Sequence, residues 1–234
     1  MSALSDTNQG MTQLGEPFEA DIVIQTACQD ALKAFETWAA IDKGDLPEDA
    51  VDAMQIRLMR WQRDRFGLQT DERLALGIIE EVTETDIASD ANEAFDGLGD
   101  ACVYSSQIAT NNRLAIRPII ALAHHMVVEL IAERAAQREQ PGPGSMLPII
   151  IAPGILAQVA LKRAQKVRGL DDDSKYRLQL TGALAACIAH CTIGVMTKGV
   201  PIEQYRIEDV FLEVGEAVSQ RNVGHDAIPK DTVH

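Results

Sequence analysis

Two neighbouring stretches decide the fold: TDERLALGIIEEVTETDI (residues 70–87) and DANEAFDGLGDACVYSS (residues 90–106). In the first, an apolar stretch (Leu74, Leu76, Ile78, Ile79) runs directly into Glu80, Glu81 and Glu84. Glu80 and Glu84 stand at i, i+4, and Glu81 and Glu84 at i, i+3. Like charges at those spacings share one helix face and repel by a few tenths of a kcal/mol. In the second, Glu93, Asp96 and Asp100 fall at i, i+3 and i+7 on one stripe, which Tyr104 continues one turn on. Gly97 and Gly99 weaken that helix by ~1 kcal/mol each relative to alanine. Small residues there let a neighbouring helix or a flat ligand come close. The short connection from Thr85 to Asn92 folds the two helices into an antiparallel pair, with the carboxylates converging.

Working outward, the rest of the chain reads as helix. Aromatic residues make up only 4% of the sequence against 46% hydrophobic residues overall, a balance that favours aliphatic helix packing over an aromatic-rich sandwich. Helices are expected over 20–40, from Leu46-Pro47-Glu48-Asp49 to Gly67, and from Thr70 through Ala88. A fourth spans 90–109 and is broken by Asn111 and Asn112. A fifth runs from Pro118 to about Gln137, and three more cover 152–167, 174–197 and 201–220. Residues 1–18 and 222–234 lack a periodic apolar pattern and read as flexible tails. Gln140 to Ser145, rich in proline and glycine, marks a linker at 139–146. The expected organisation is a helical half with the acids (19–138) and a second helical half (147–221) packed on it. Residues 96–106 resemble residues 181–191, with Gly97 on Gly182 and Cys102 on Cys187, which suggests an internal pseudo-repeat. Glu80, Glu81 and Glu84 then face Lys162, Arg163 and Lys166, so the second copy carries bases where the first carries acids.

A net charge of -14 disfavours binding of nucleic acid polymers, whose phosphates need a basic surface. No apolar run reaches the ~18 to 20 residues of a membrane span, and the first fifteen residues lack a signal-peptide pattern, so a cytoplasmic protein is expected. Cys28, Cys102, Cys187 and Cys191 lack paired zinc spacing and are expected to be buried thiols. His124 and His125 lie in an apolar helix and are expected in a core or interface. Glycine-rich phosphate loops and hydrolase nucleophile motifs are missing from the sequence.

A cluster of this many carboxylates calls for cations, and oxygen-only ligands suit magnesium or manganese. The ordinary alternative for each glutamate is a solvated acidic face. With Trp61, Gln62, Phe66 and Gly67 before them, Glu80-Glu81-x-x-Glu84 and Glu93-x-x-Asp96-Gly97-Leu98-Gly99-Asp100 resemble the MazG-like all-α nucleotide pyrophosphohydrolases, whose signature is EExxE followed by ExxD. The resemblance covers about residues 50–120 and extends more loosely from Ala157 to Asn222. It implies a MazG-like helical bundle and a reaction that splits a nucleoside or deoxynucleoside triphosphate into monophosphate and pyrophosphate. By position, it implies Glu81 and Glu84 as magnesium ligands, with Glu80 beside them as ligand or water-orienting base. The acid usually found three residues before Asp100 is Gly97 here, so Glu93, Asp96 and Asp100 remain alternative ligands. The resemblance also places Lys162, Lys166 and Arg168 on a helix near the site, as phosphate contacts or as a solvated face. Trp61 is a stacking surface or a core residue, and Tyr104 a substrate contact. A homodimer is implied. The alternative from a different class is a non-catalytic helical protein that binds nucleotide or a partner.

Overall fold

The computed structural model describes residues 19–39, 45–137 and 151–220, and every regular element among them is helical. The order is α1 (Glu19–Ala39), α2 (Ala50–Phe66), α3 (Asp71–Ile87), α4 (Ala91–Asn111), α5 (Ile116–Gln137), α6 (Ala152–Ala164), α7 (Asp173–Thr197), a short 3-10 turn (Ile202–Gln204) and α8 (Ile207–Gln220). The fold is an all-α bundle, as the composition predicts. Residues 1–18, the Pro-Gly linker region and the C-terminal tail from 221 lie outside the described residues, so the expectations for them find no test here.

Two antiparallel hairpins, α3–α4 and α6–α7, stack on one another through α3 against α6 and α7, and α4 against α7. α8 covers α4 and α2, while α5 covers α7 and α1. One continuous apolar core joins them, from Leu74, Ile78 and Leu98 in the first hairpin to Leu156, Leu184 and Ile188 in the second. The two halves of the chain therefore share one interior. α7 is apolar on nearly every side because it runs through that interior. It is long and apolar enough to cross a bilayer by composition, which corrects the expectation from sequence, yet 72% of its apolar window is buried inside the bundle.

Local chemistry sets where the helices start. Asp49 and Asp90 accept hydrogen bonds from the first free backbone N–H groups of α2 and α4, and Asp172 does so for α7. Pro47 thus lies before α2 rather than in its first turn. Thr70 occupies the N-cap of α3 but makes no side-chain cap bond. The start of α3 is fixed by Asp71 instead. Its carboxylate accepts from Asn111 (2.9 Å), Asn112 (2.7 Å) and the Tyr176 hydroxyl (2.8 Å). Three distant segments so meet on one charge and set the height of the acid-bearing helix. Two further boundaries differ from expectation. α5 begins at Ile116, two residues before Pro118, and the last expected helix divides into the 3-10 turn and α8. His124 and His125 are exposed on α5 rather than in the core.

Gln55 ties α2 to the corner between α4 and α5. It is fully buried; its amide donates to the Thr110 hydroxyl (2.9 Å) and to the carbonyls of Leu114 (3.0 Å) and Ser106 (3.2 Å), and its oxygen accepts from Ile116 N (2.7 Å). Replacing it with leucine strands the buried Ile116 N–H and takes a donor from the Leu114 carbonyl, while the Ser106 carbonyl keeps the Thr110 hydroxyl. Gln55→Leu is expected to cost about 2–4 kcal/mol, measured as a shift of the urea unfolding midpoint. A midpoint equal to wild type would show that these bonds are replaced elsewhere.

Candidate functional site

The register of α3 against α4 is set by glycines. A Cβ at Gly77 would lie 2.8 Å from the Tyr104 ring, and one at Gly97 would lie 2.4 Å from Thr85 Oγ1 and 3.2 Å from the Glu81 carbonyl oxygen. Gly77 therefore faces Tyr104 and Gly97 faces Thr85, with Glu81 between them on the same face of α3. From α7, a Cβ at Gly194 would lie 2.4 Å from Thr85 Cγ2. Thr85 is thus held between two glycines, its hydroxyl donating to the Glu81 carbonyl at 2.7 Å.

This explains why glycine stands at position 97. A side chain there, acidic or otherwise, has no room against the backbone of α3. Gly97→Ala is expected to destabilise the protein by about 1–3 kcal/mol despite alanine's better helix propensity. Thermal unfolding followed by circular dichroism would read the change, and a stabilised variant would contradict this packing.

Glu81 is 9% exposed. Its carboxyl is pushed up to about 8, first by burial and then by the charges of Asp100, Glu84, Glu80 and Asp96. No cationic side chain opposes this, and no hydrogen bond or ion pair reaches its carboxylate among the described residues. Burial likewise raises the Tyr104 phenol, helped by Glu81, Asp100 and Glu80; Arg73 pulls the other way. The sequence reading did not single out Arg73, which shares the stripe of Gly77, Glu80 and Glu84 on α3.

Glu80, Glu84 and Asp96 are exposed, Asp100 is half-buried, and all four act on Glu81. Glu93 is occupied elsewhere: its carboxylate accepts from Ser89 N at 2.7 Å, at the start of α4, and it is not among the charges that shift Glu81. The five remaining acids share one electrostatic environment. Among the described residues, however, no three His, Cys, Asp or Glu side chains gather closely enough to hold one metal ion.

The expected phosphate contacts lie differently. α6 ends at Ala164, so Lys166 and Arg168 are not helical; they occupy a turn with φ of 52° and 61° that Gly169 completes at 70°. Lys162 is on the last turn of α6 and donates to Gln165 at 3.2 Å. None of the three is among the charges that act on Glu81. Neighbouring Arg163 is committed to Asp173, to the Leu170 carbonyl and to the face of Tyr176. Trp61 is half-buried against the core, edge-on to Phe66 at 5.5 Å, with Arg65 over its ring; its indole N–H is buried without a hydrogen-bond partner.

One feature carries little signal in the sequence. His190 on α7 bonds Asp86 on α3 at 3.0 Å, a pairing 104 positions apart. Cys102, Cys187 and Cys191 are fully buried, as expected of structural thiols, and burial pushes Cys191 up to about 12. No family model matches the chain, and no curated protein and no solved structure matches it either.

Proposed function

We propose that this chain is a magnesium-dependent pyrophosphohydrolase, which splits a nucleoside or deoxynucleoside triphosphate into monophosphate and pyrophosphate. The observation that carries the reading is Glu81: a buried carboxyl on a helix of acids, facing further acids across a hairpin, with no cation of its own. Such a group is costly unless something neutralises it. The donors are oxygen-only, the set a hard divalent cation prefers. The MazG-like motif order described above points the same way.

In this reading Glu81, Glu84, Asp96 and Asp100 would hold magnesium, or manganese in its place. The ion would supply charge neutralisation for the triphosphate and the departing pyrophosphate. Water adds to the α-phosphorus, the bond to the bridging oxygen breaks, and pyrophosphate leaves with the electron pair. Glu80, exposed beside the cluster, orients the water and takes its proton at a carboxylate oxygen. Tyr104, seated on Gly77, offers a flat edge to the substrate, and Arg73 supplies a cation at the end of the same stripe. Glu93 drops out of the proposed ligand set because of its bond to Ser89. Lys166 and Arg168 lose their place as phosphate contacts because neither is helical nor among the charges that shift Glu81. We also propose that the protein acts as a homodimer in the cytoplasm.

One observation favours a second reading, a non-catalytic nucleotide-binding or partner-binding protein: the acids are not gathered on a single point. The deciding experiment is a pyrophosphate-release assay on a panel of ribo- and deoxynucleoside triphosphates, with magnesium and with chelator. Metal-dependent release of pyrophosphate and monophosphate supports the hydrolase. Nucleotide binding without turnover supports the second reading, and release of single phosphates rejects the proposed bond cleavage.

A further inference from the structure

The outer faces of α1 and α5 meet in an open groove of about 650 Å³, which none of the candidate carboxylates lines. Its floor is made of small residues, Ala27 and Ala34 from α1 and Ala121 from α5, over which another helix can approach closely. Ile22 stands along it and is 49% exposed.

The groove-facing stripe of α1 reads Ile22, Thr26, Asp30, Lys33, Thr37. Asp30 and Lys33 make no ion pair among the described residues, although they lie one turn apart. Within the stripe, Thr26 and Thr37, and Asp30 and Lys33, lie equidistant from a point between Ala31 and Leu32. When a helix packs antiparallel against its own copy about a twofold axis, residues equidistant from the axis face each other. Here threonine meets threonine, and each aspartate meets a lysine. Both uncommitted charges are then satisfied twice over, once on each side of the axis.

Whole-molecule charge points to the same face. At -14, two copies repel over most of their surfaces. The α1 stripe is neutral, with one acid and one base, so it lets two copies approach without adding like charge. We infer that the α1–α5 face is a self-complementary docking surface for a second copy of this chain, with α1 antiparallel to α1 and Asp30 paired to Lys33 across the axis. This gives a face to the homodimer proposed above and is independent of the catalytic reading.

Charge reversal tests the register. Sedimentation velocity on the full chain should give a mass near twice 25.5 kDa for wild type. Asp30→Lys and Lys33→Asp, each alone, set like charges against each other and should weaken self-association about ten-fold or more. An equimolar mixture of the two variants restores opposite charges across the axis and should recover dimers, as should the double variant carrying both changes. Both residues are exposed, and an unchanged helical circular dichroism spectrum confirms that each variant folds. A 25.5 kDa species at every concentration overturns the inference and leaves the face to another macromolecule. So do single variants that dimerise like wild type, or variants that fail to associate when mixed. Pyrophosphate release measured on the same samples keeps the two proposals apart, since turnover by a monomer removes only the dimer.

Discussion

With metal chelated, the melting temperature of the protein is expected to fall as pH rises from about 5 to 8, and Glu81→Gln is expected to remove most of that fall. Glu81 holds its proton up to about pH 8 in the folded chain, whereas an unfolded glutamate releases it near pH 4.3. Below both values the two states carry the same proton, so the group leaves stability unchanged. Between them the folded state binds a proton that the unfolded state has lost. Stability therefore declines with rising pH across that window and levels off above it. The full penalty is roughly 3–5 kcal/mol as an upper bound, because neighbouring acids share the shift. For a chain of this size that is a drop on the order of 10 °C. Glutamine keeps the shape and drops the charge. Melts at pH 5, 6.5 and 8 in chelator, on wild type and Glu81→Gln, measure the effect. Identical slopes in the two proteins would mean that Glu81 is ionised and solvated in the native state. If the cluster binds magnesium, adding the metal raises the wild-type curve most at pH 8, where the carboxylate is available, and leaves the variant nearly unmoved.

The double variant Glu81→Gln, Glu84→Gln is expected to lose pyrophosphate release by about 10²–10³-fold or more, with the helical spectrum intact. Removing two carboxylates takes away ligands whose bound cation supplies several kcal/mol of charge stabilisation, and each ~1.4 kcal/mol is a factor of ten in rate. Three comparisons give the result its meaning. Glu93→Gln should leave turnover near wild type because that carboxylate is bonded to Ser89 N. Lys166→Ala should also change little. Arg73→Gln should act mainly on apparent affinity, since Arg73 lies at the far end of the α3 stripe, one turn past Gly77, rather than between the acids. Equal losses from Glu93→Gln and from the double variant would relocate the metal toward the start of α4. Steady-state kinetics on purified proteins, with magnesium held in excess, separate these cases.

The hairpin of α3 and α4 was legible because its signals are local: acids at one-turn spacing, a short connection, and Asp90 and the Asn111–Asn112 pair at the ends of α4. So was the helical class, which follows from aliphatic periodicity. What escaped depends on contacts between distant segments. The end of α6 at Ala164 is one case: the strong stop signal, Gly169, lies five positions further on, and the positive φ of Lys166 and Arg168 is imposed by the turn into α7. Asp71 offers another, since an acid in the first turn of a helix looks like an ordinary cap, while its partners sit about 40 and 105 positions away. Gly97 is the most instructive. In sequence it is a missing acid; in space it is the opening through which Thr85 and the α3 backbone approach α4. The pair Gly97 and Gly99 signalled close helix approach in the sequence; which neighbours approach, Thr85 at Gly97 and Val214 of α8 at Gly99, only the fold supplies.

The bracketing of Thr85 by Gly97 and Gly194 bears on how this chain can be shortened. Every carboxylate of the candidate site belongs to the first 138 residues, so a fragment ending there would keep the whole motif. It would lose Gly194, and with it the wall that presses Thr85 toward α4. It would also lose Tyr176 from Asp71 and His190 from Asp86. The second hairpin, which carries none of the candidate carboxylates, therefore acts as a brace for a site to which it lends no acid, and the minimal functional unit is longer than the motif that advertises it.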